Sequence, residues 1–193
     1  MVVMLMAVCS IYAQREPGSV TIYPRVGVNW SKHMNDQIFL EKDDFVSATY
    51  LTGFTGGADV QYQLTNALAI SGGLMYSQQG TKFEYDIMFD EFDERPQFRT
   101  HFVNIPLMAV MTTRYGVSFK AGLQPEIRVG NRFEGVFNRV NISVPVGVAY
   151  EWNNVCLDLR YNIGVTKIYK GHVGGSNCNN RTIMLTLGYG IDL

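Results

Sequence analysis

Three histidines, three cysteines and a dense run of carboxylates are the residues of this 193-residue chain best suited to chemistry. Acyl transfer of the serine type needs a histidine beside a serine nucleophile and a carboxylate that orients it. His101 is the histidine that falls in a strand pattern, and the nearby position on its face is Val103, with no serine there. His33 and His172 fall in long connections and read as solvated side chains rather than metal ligands. One connection holds Glu84, Asp86, Asp90, Glu91, Asp93 and Glu94, interleaved with Phe83, Tyr85, Met88, Phe89 and Phe92. Carboxylate oxygens suit hard divalent cations, but the run lacks the ligand spacing and turn glycine of a calcium loop, so it reads as a solvated or partner-binding loop. These residues predict no catalytic, cofactor or metal site, and no enzyme.

A second set of charges recurs at alternate positions. Arg25, Asp59, Lys120, Glu126, Arg128, Asp158 and Arg160, with Glu151 and Asp192, occupy the polar side of segments whose other side is apolar. The segments that place them alternate with period two, the signature of a two-faced strand. Val20, Ile22, Pro24, Val26, Val28 and Trp30 share one face while Thr21, Tyr23, Arg25, Asn29 and Ser31 share the other. The pattern returns at 54–64 and 68–77, at 103–111 and 117–127, at 140–150 and 155–163, and at 183–193, which makes eight strands. Nineteen glycines, eleven tyrosines and eleven phenylalanines agree with β structure.

The connections alternate as well. Thr65-Asn66, Arg114-Tyr115-Gly116 and Trp152-Asn153-Asn154 are turn-sized, whereas the stretches Lys32 to Thr49, Gly80 to Arg99, Val129 to Arg139 and Lys167 to Arg181 are long. An eight-stranded antiparallel up-and-down barrel with short periplasmic turns and long extracellular loops gives this alternation, because closure removes the strand edges that lipid cannot satisfy. Apolar-face aromatics gather near strand ends, with Tyr62, Phe119, Tyr150 and Tyr189 at the periplasmic rim and Trp30, Phe54 and Tyr76 at the outer rim. Parity alone does not say which face is inside, since a soluble lipocalin-like calyx alternates with its apolar face inward. The chain end favours the membrane: Thr186, Gly188, Ile191 and Leu193 match the assembly signal of outer-membrane barrels, with Leu193 in place of the usual terminal Phe. The polar face then lines the lumen, where paired charges with Asn and Gln fill the narrow interior.

Residues 1–13 form an apolar run ending at Ala13, the pattern of a signal peptide, although no Lys or Arg precedes Arg15 and the start codon could lie upstream. The barrel is expected over 19–193. Two cysteines, Cys156 and Cys178, remain after cleavage; strand seven carries Cys156 at its periplasmic start and Cys178 follows its outer end, so no disulfide joins them. A net charge of -1 gives no electrostatic footprint for nucleic acid.

The stretch Gly72-Gly73-Leu74-Met75-Tyr76-Ser77-Gln78-Gln79-Gly80, followed by Asn104-Ile105-Pro106-Leu107-Met108 and by Arg160-Tyr161-Asn162-Ile163-Gly164-Val165-Thr166, resembles the PorT-like outer-membrane β-barrel family of Bacteroidota, small barrels of the OmpA/OmpX type. The resemblance implies an outer-membrane location. Its namesake is tied to type IX secretion, a role not carried over to this chain, and most members have no assigned activity. The expected function is an integral outer-membrane structural or interaction protein with a plugged lumen. Its expected partners are outer-membrane lipid and lipopolysaccharide, the barrel assembly machinery, and an extracellular or periplasmic protein. A small solute channel is the alternative, ahead of a lipid-modifying enzyme or a soluble binder.

Overall fold

The computed structural model describes residues 15–32, 37–39, 45–85, 97–129, 139–166 and 180–193. Residues 1–13, where the signal peptide is expected, lie outside these, as do Cys178 and most of the acidic connection. Eleven strands are described: β1 (Val20–Lys32), β2 (Gln37–Phe39), β3 (Phe45–Gln63), β4 (Leu68–Tyr85), β5 (Gln97–Asn104), β6 (Leu107–Thr112), β7 (Val117–Val129), β8 (Val140–Trp152), β9 (Val155–Gly164), β10 (Arg181–Tyr189) and β11 (Ile191–Asp192). Every pairing is antiparallel, and β1 pairs with both β3 and β10, which closes the sheet on itself. β5 and β6 form one wall strand, β10 and β11 another, and among the described residues β2 pairs with β3 alone, so eight strands make the wall.

The apolar face points outward. Leu74, Leu123 and Leu187 are 60%, 57% and 52% exposed, while Arg25, Asp158 and Arg160 are 4%, 0% and 4% exposed. A calyx would show the reverse, so the ambiguity left by parity is resolved in favour of a barrel with a polar inside and an apolar coat. Burying charge and exposing leucine is stable only where the surroundings are themselves apolar.

Register gives the tilt. Following paired lipid-side residues around the wall leads from Val20 to Tyr62, Ile70, Ala109, Ala121, Val146, Tyr161 and Ile183, and back to β1 at Trp30, ten residues from the start. A shear larger than the strand number tilts the strands by about 45° and leaves an interior that side chains can fill. Strands pass close together where glycine faces the lumen: a Cβ on Gly57 would stand 2.1 Å from the Leu74 carbonyl oxygen.

Strands eight and nine of this numbering are joined by Asn153 and Asn154, both at positive φ (49° and 65°), the two-residue turn whose twist matches the flanking strands. Thr65 caps the first turn, accepting from the Ala67 and Leu68 amides through its hydroxyl. Tyr62, Phe119, Tyr150 and Tyr189 are exposed at this turn end, joined by Trp152, and Phe54 and Tyr76 are exposed toward the other.

Two expectations are corrected. The stretches Lys32 to Thr49 and Gly80 to Arg99 are not wholly connections. β2 and the start of β3 lie in the first, and the end of β4 and start of β5 lie in the second. The β3–β4 ladder runs on past the apolar band, from Val46 opposite Tyr85 to Tyr50 opposite Thr81, with a register irregularity between Tyr50 and Thr55. Hydrophobic alternation marks only the part of a strand that faces lipid, so a ladder extending into water is not read from it. The strand expected over 103–111 is interrupted at Ile105–Pro106, because proline has no N–H to give the ladder. The wall nonetheless continues through Ile105 N to Pro125 O (2.8 Å) and Gly73 N to Pro106 O (3.0 Å).

Candidate functional site: a filled lumen

The inward face is filled in three tiers. In the middle, Asp158 accepts from Lys120 Nζ (2.6 Å) and Arg160 Nε (2.8 Å) and lies 3.2 Å from Arg25 Nη1. Asp59 meets Arg25 Nε at 2.9 Å and also pairs with Arg160. Each of these five side chains is at most 5% exposed. They come from β1, β3, β7 and β9, so the cluster ties opposite walls together. Gly73 makes room for it, since a Cβ there would fall 2.1 Å from Asp59 Oδ1. The Cys156 thiol lies 3.7 Å from Arg25 Nη1. Three cations face two carboxylates.

Toward the loop end the filling is mostly neutral. Glu126 accepts from Ser143 Oγ (2.7 Å), Gln124 Nε2 (2.9 Å) and Asn180 Nδ2 (3.3 Å). Asn180 also donates to Gln79 Oε1 (2.6 Å), and Ser77 accepts from Gln79 (2.8 Å) and Asn104 (3.0 Å). Arg128, buried, follows one inward step farther out. Of the seven charges expected to form one network, the structure brings together Arg25, Asp59, Lys120, Asp158 and Arg160. Glu126 and Arg128 stand in the outer tier instead.

At the turn end, Arg15 enters from the segment before β1. Its guanidinium forms a bidentate pair with Glu151 (Nη2–Oε1 2.7 Å, Nη1–Oε2 3.0 Å) and donates to Asp192 Oδ1 (2.7 Å) and the Tyr23 hydroxyl (2.6 Å). Burial opposes its charge most, yet these hydrogen bonds and the nearby anionic charge hold its pKa above the usual arginine value. Sequence reasoning missed Arg15 because it precedes the first alternating segment; the signal available was an unpaired excess of Glu151 and Asp192 at the same end.

Elsewhere, His101 stacks on Tyr76 (ring centroids 5.9 Å apart) and its Nδ1 lies 2.7 Å from the tyrosine hydroxyl, on the outward face. Of the expected assembly residues, Thr186 and Gly188 face inward, whereas Ile191 and Leu193 are exposed at the turn end. At the loop end, Lys32 pairs in register with Arg181, and Lys82, Arg99 and His101 follow on β4 and β5, all at outward parity. Across the barrel the same level is apolar, with Val129, Val140, Ile163 and Val165 exposed.

An eight-stranded barrel with an apolar coat, aromatic rims and a polar filling is a transmembrane barrel. Residues 12–170 match the family model described as outer membrane protein beta-barrel domain, and the chain belongs to that family. The protein resides in the outer membrane. No curated protein sequence matches it. Among solved structures it is similar in fold to Ail, the attachment invasion locus protein of Yersinia pestis in complex with the heparin analogue sucrose octasulfate (18% identity, 91% of this chain and 99% of that chain covered, TM-score 0.49). It is also similar to the outer membrane protein OprG from Pseudomonas aeruginosa (8% identity, 91% and 97% covered, TM-score 0.47). A de novo designed transmembrane β-barrel matches at 13% identity, 92% and 99% covered, TM-score 0.45.

Proposed function

We propose that this protein is a structural and interaction component of the outer membrane, a barrel that anchors and presents its outer face and conducts nothing. The observation that carries this is the central tier: five interlocked charged side chains, from four strands, occupy the lumen at direct-contact distances. Passage of a solute would require breaking several buried ion pairs at once. A planar-bilayer recording tests it. The expected trace shows no steady openings, and steady openings would establish the small solute channel instead.

The partner favoured at the outer rim is lipopolysaccharide. Lys32, Lys82, Arg99, His101 and Arg181 form a basic arc just beyond the apolar band on one side of the barrel, where phosphate-bearing headgroups lie. Arg99→Gln with Arg181→Gln should reduce the lipopolysaccharide phosphate that copurifies with the barrel. An extracellular or periplasmic protein remains the proposed second partner.

The PorT-like assignment is supported by where its three motifs fall. Gly73, Ser77, Gln79, Asn104, Arg160 and Asn162 all face the lumen and take part in its filling. Thr186, Gly188, Ile191 and Leu193 are proposed as the signal read by the barrel assembly machinery, and residues 1–13 as the export signal.

A further inference from the structure

Among the described residues, Tyr23 is a buried aromatic ring at the lumen's turn end, and two guanidinium groups approach it. Arg15 Cζ stands 5.4 Å from the ring centroid and Arg25 Cζ 4.9 Å from it. The Tyr23 hydroxyl donates to Glu151 Oε2 (2.8 Å) and accepts from Arg15 Nη1 (2.6 Å). Ala149 and Cys156 complete a small buried cluster with the ring. Arg25, whose guanidinium lies over the ring, belongs to the central ion-pair tier.

Arg15 is not part of the wall. It reaches the mouth from outside β1, and the wall is shaped to receive it: a Cβ on Gly190 would fall 2.9 Å from Arg15 Nη2 and 3.1 Å from Tyr23 Cε1. It bridges three parts of the barrel that meet at this rim. Glu151 is the penultimate residue of β8, Asp192 ends β11, and Thr21, which donates to Asp192 Oδ1 at 2.7 Å, is the second residue of β1. Its side chain is 14% exposed although it sits at a barrel mouth.

We propose that Arg15 is a stopper: the arm preceding β1 seals the periplasmic mouth by clamping Tyr23 over the lumen, and this seal keeps periplasmic solutes from Cys156 and from the charge tier behind it. The inference rests on the filled-lumen reading for the tier above the ring. It adds that the lower closure comes from a detachable arm rather than from the wall. Arg15 is a positioning residue here, acting through Tyr23.

Cys156 is a built-in reporter, 3% exposed and packed in one buried cluster with the ring. The experiment uses the full mature barrel in detergent or phosphatidylcholine vesicles, treated with N-ethylmaleimide. Only the heat-shifted, folded gel band is taken, and the tryptic peptide carrying Cys156 is measured by mass spectrometry. In wild type that peptide stays unlabelled. Arg15→Gln removes the charge-assisted hydrogen bonds and should raise its labelling rate by roughly tenfold or more, the population shift that loss of such bonds implies. Arg15→Lys keeps the charge but cannot span both carboxylates, and should fall between the two. Should Arg15→Gln yield no folded band, Glu151→Gln tests the same contact from the wall side. Protection of Cys156 in both folded variants overturns the stopper and leaves the filled lumen standing. Rapid labelling of wild type overturns it as well, whereas steady conductance by wild type overturns the filled lumen.

Discussion

Asp158→Asn is the substitution the central tier makes most consequential. Asparagine keeps the shape and one acceptor oxygen, but removes the charge shared by Lys120, Arg160 and Arg25 at 2.6, 2.8 and 3.2 Å. Asp59 still holds Arg25 and Arg160. Lys120, 5% exposed, then has no carboxylate in its ion-pair contact, since Asp158 supplied it. Removing one partner of a buried pair destabilises by about 3–5 kcal/mol, mostly through the charge left behind. Lys120→Met provides the comparison. It takes one cation from a set of three facing two, and leaves Asp158 paired with both arginines, so no ion is orphaned and the loss should be about 1 kcal/mol or less. Urea unfolding of the barrel in lipid vesicles, followed by Trp30 and Trp152 fluorescence and by the heat-shifted band, gives both values. If Asp158→Asn lost no more than Lys120→Met, the tier would not be an interlocked charge cluster and would not close the lumen.

Other outcomes follow from the coat, the wall and the cysteines. Leu187→Arg puts a charge on the lipid face and should impair folding into vesicles by about 2–4 kcal/mol at the midplane; unchanged folding would contradict the outward assignment of its 52% exposed side chain. Gly57→Ala should lower the folded fraction, because its Cβ meets the Leu74 carbonyl oxygen at 2.1 Å, while Gly72→Ala should be tolerated, its nearest contact being a Leu107 methyl at 3.4 Å. Equal behaviour of the two glycine variants in a folding gel would refute the close approach at Gly57. Cys156 lies at the periplasmic start of β9 and is unpaired among the described residues. Non-reducing mass analysis should find no peptide joining it to Cys178, and finding one would reverse the direction of β9.

Face assignment was legible because a strand writes its two sides at alternate positions. Val26 and Val28 against Arg25 and Asn29 carry that information in adjacent letters. The inside was not legible from alternation alone, since the same letters fit a calyx; exposure decided it. Height along the barrel was the larger omission. Sequence places Glu126 and Lys120 on one face of β7, but only the shear determines which opposite-wall residues share their level, so Lys120 meets Asp158 while Glu126 meets Asn180. Arg15 escaped notice for a related reason: it has no parity, and its partners lie 136 and 177 residues away in sequence. Pro106 could have been recognised as the break in the fourth wall strand, because the missing N–H is visible in the sequence itself.

The ten-residue shear also bears on how such a wall reaches only one register. A slip of one residue between neighbouring strands would turn every leucine inward and is rejected by lipid. A slip of two preserves every face, so the coat is blind to it. Such a slip of β1 against its neighbours would carry Arg25 about 7 Å along the barrel, beyond reach of Asp59 and Asp158. The buried charges therefore act as a vernier on the seam: lipid enforces parity, and the salt bridges select among the registers that parity allows.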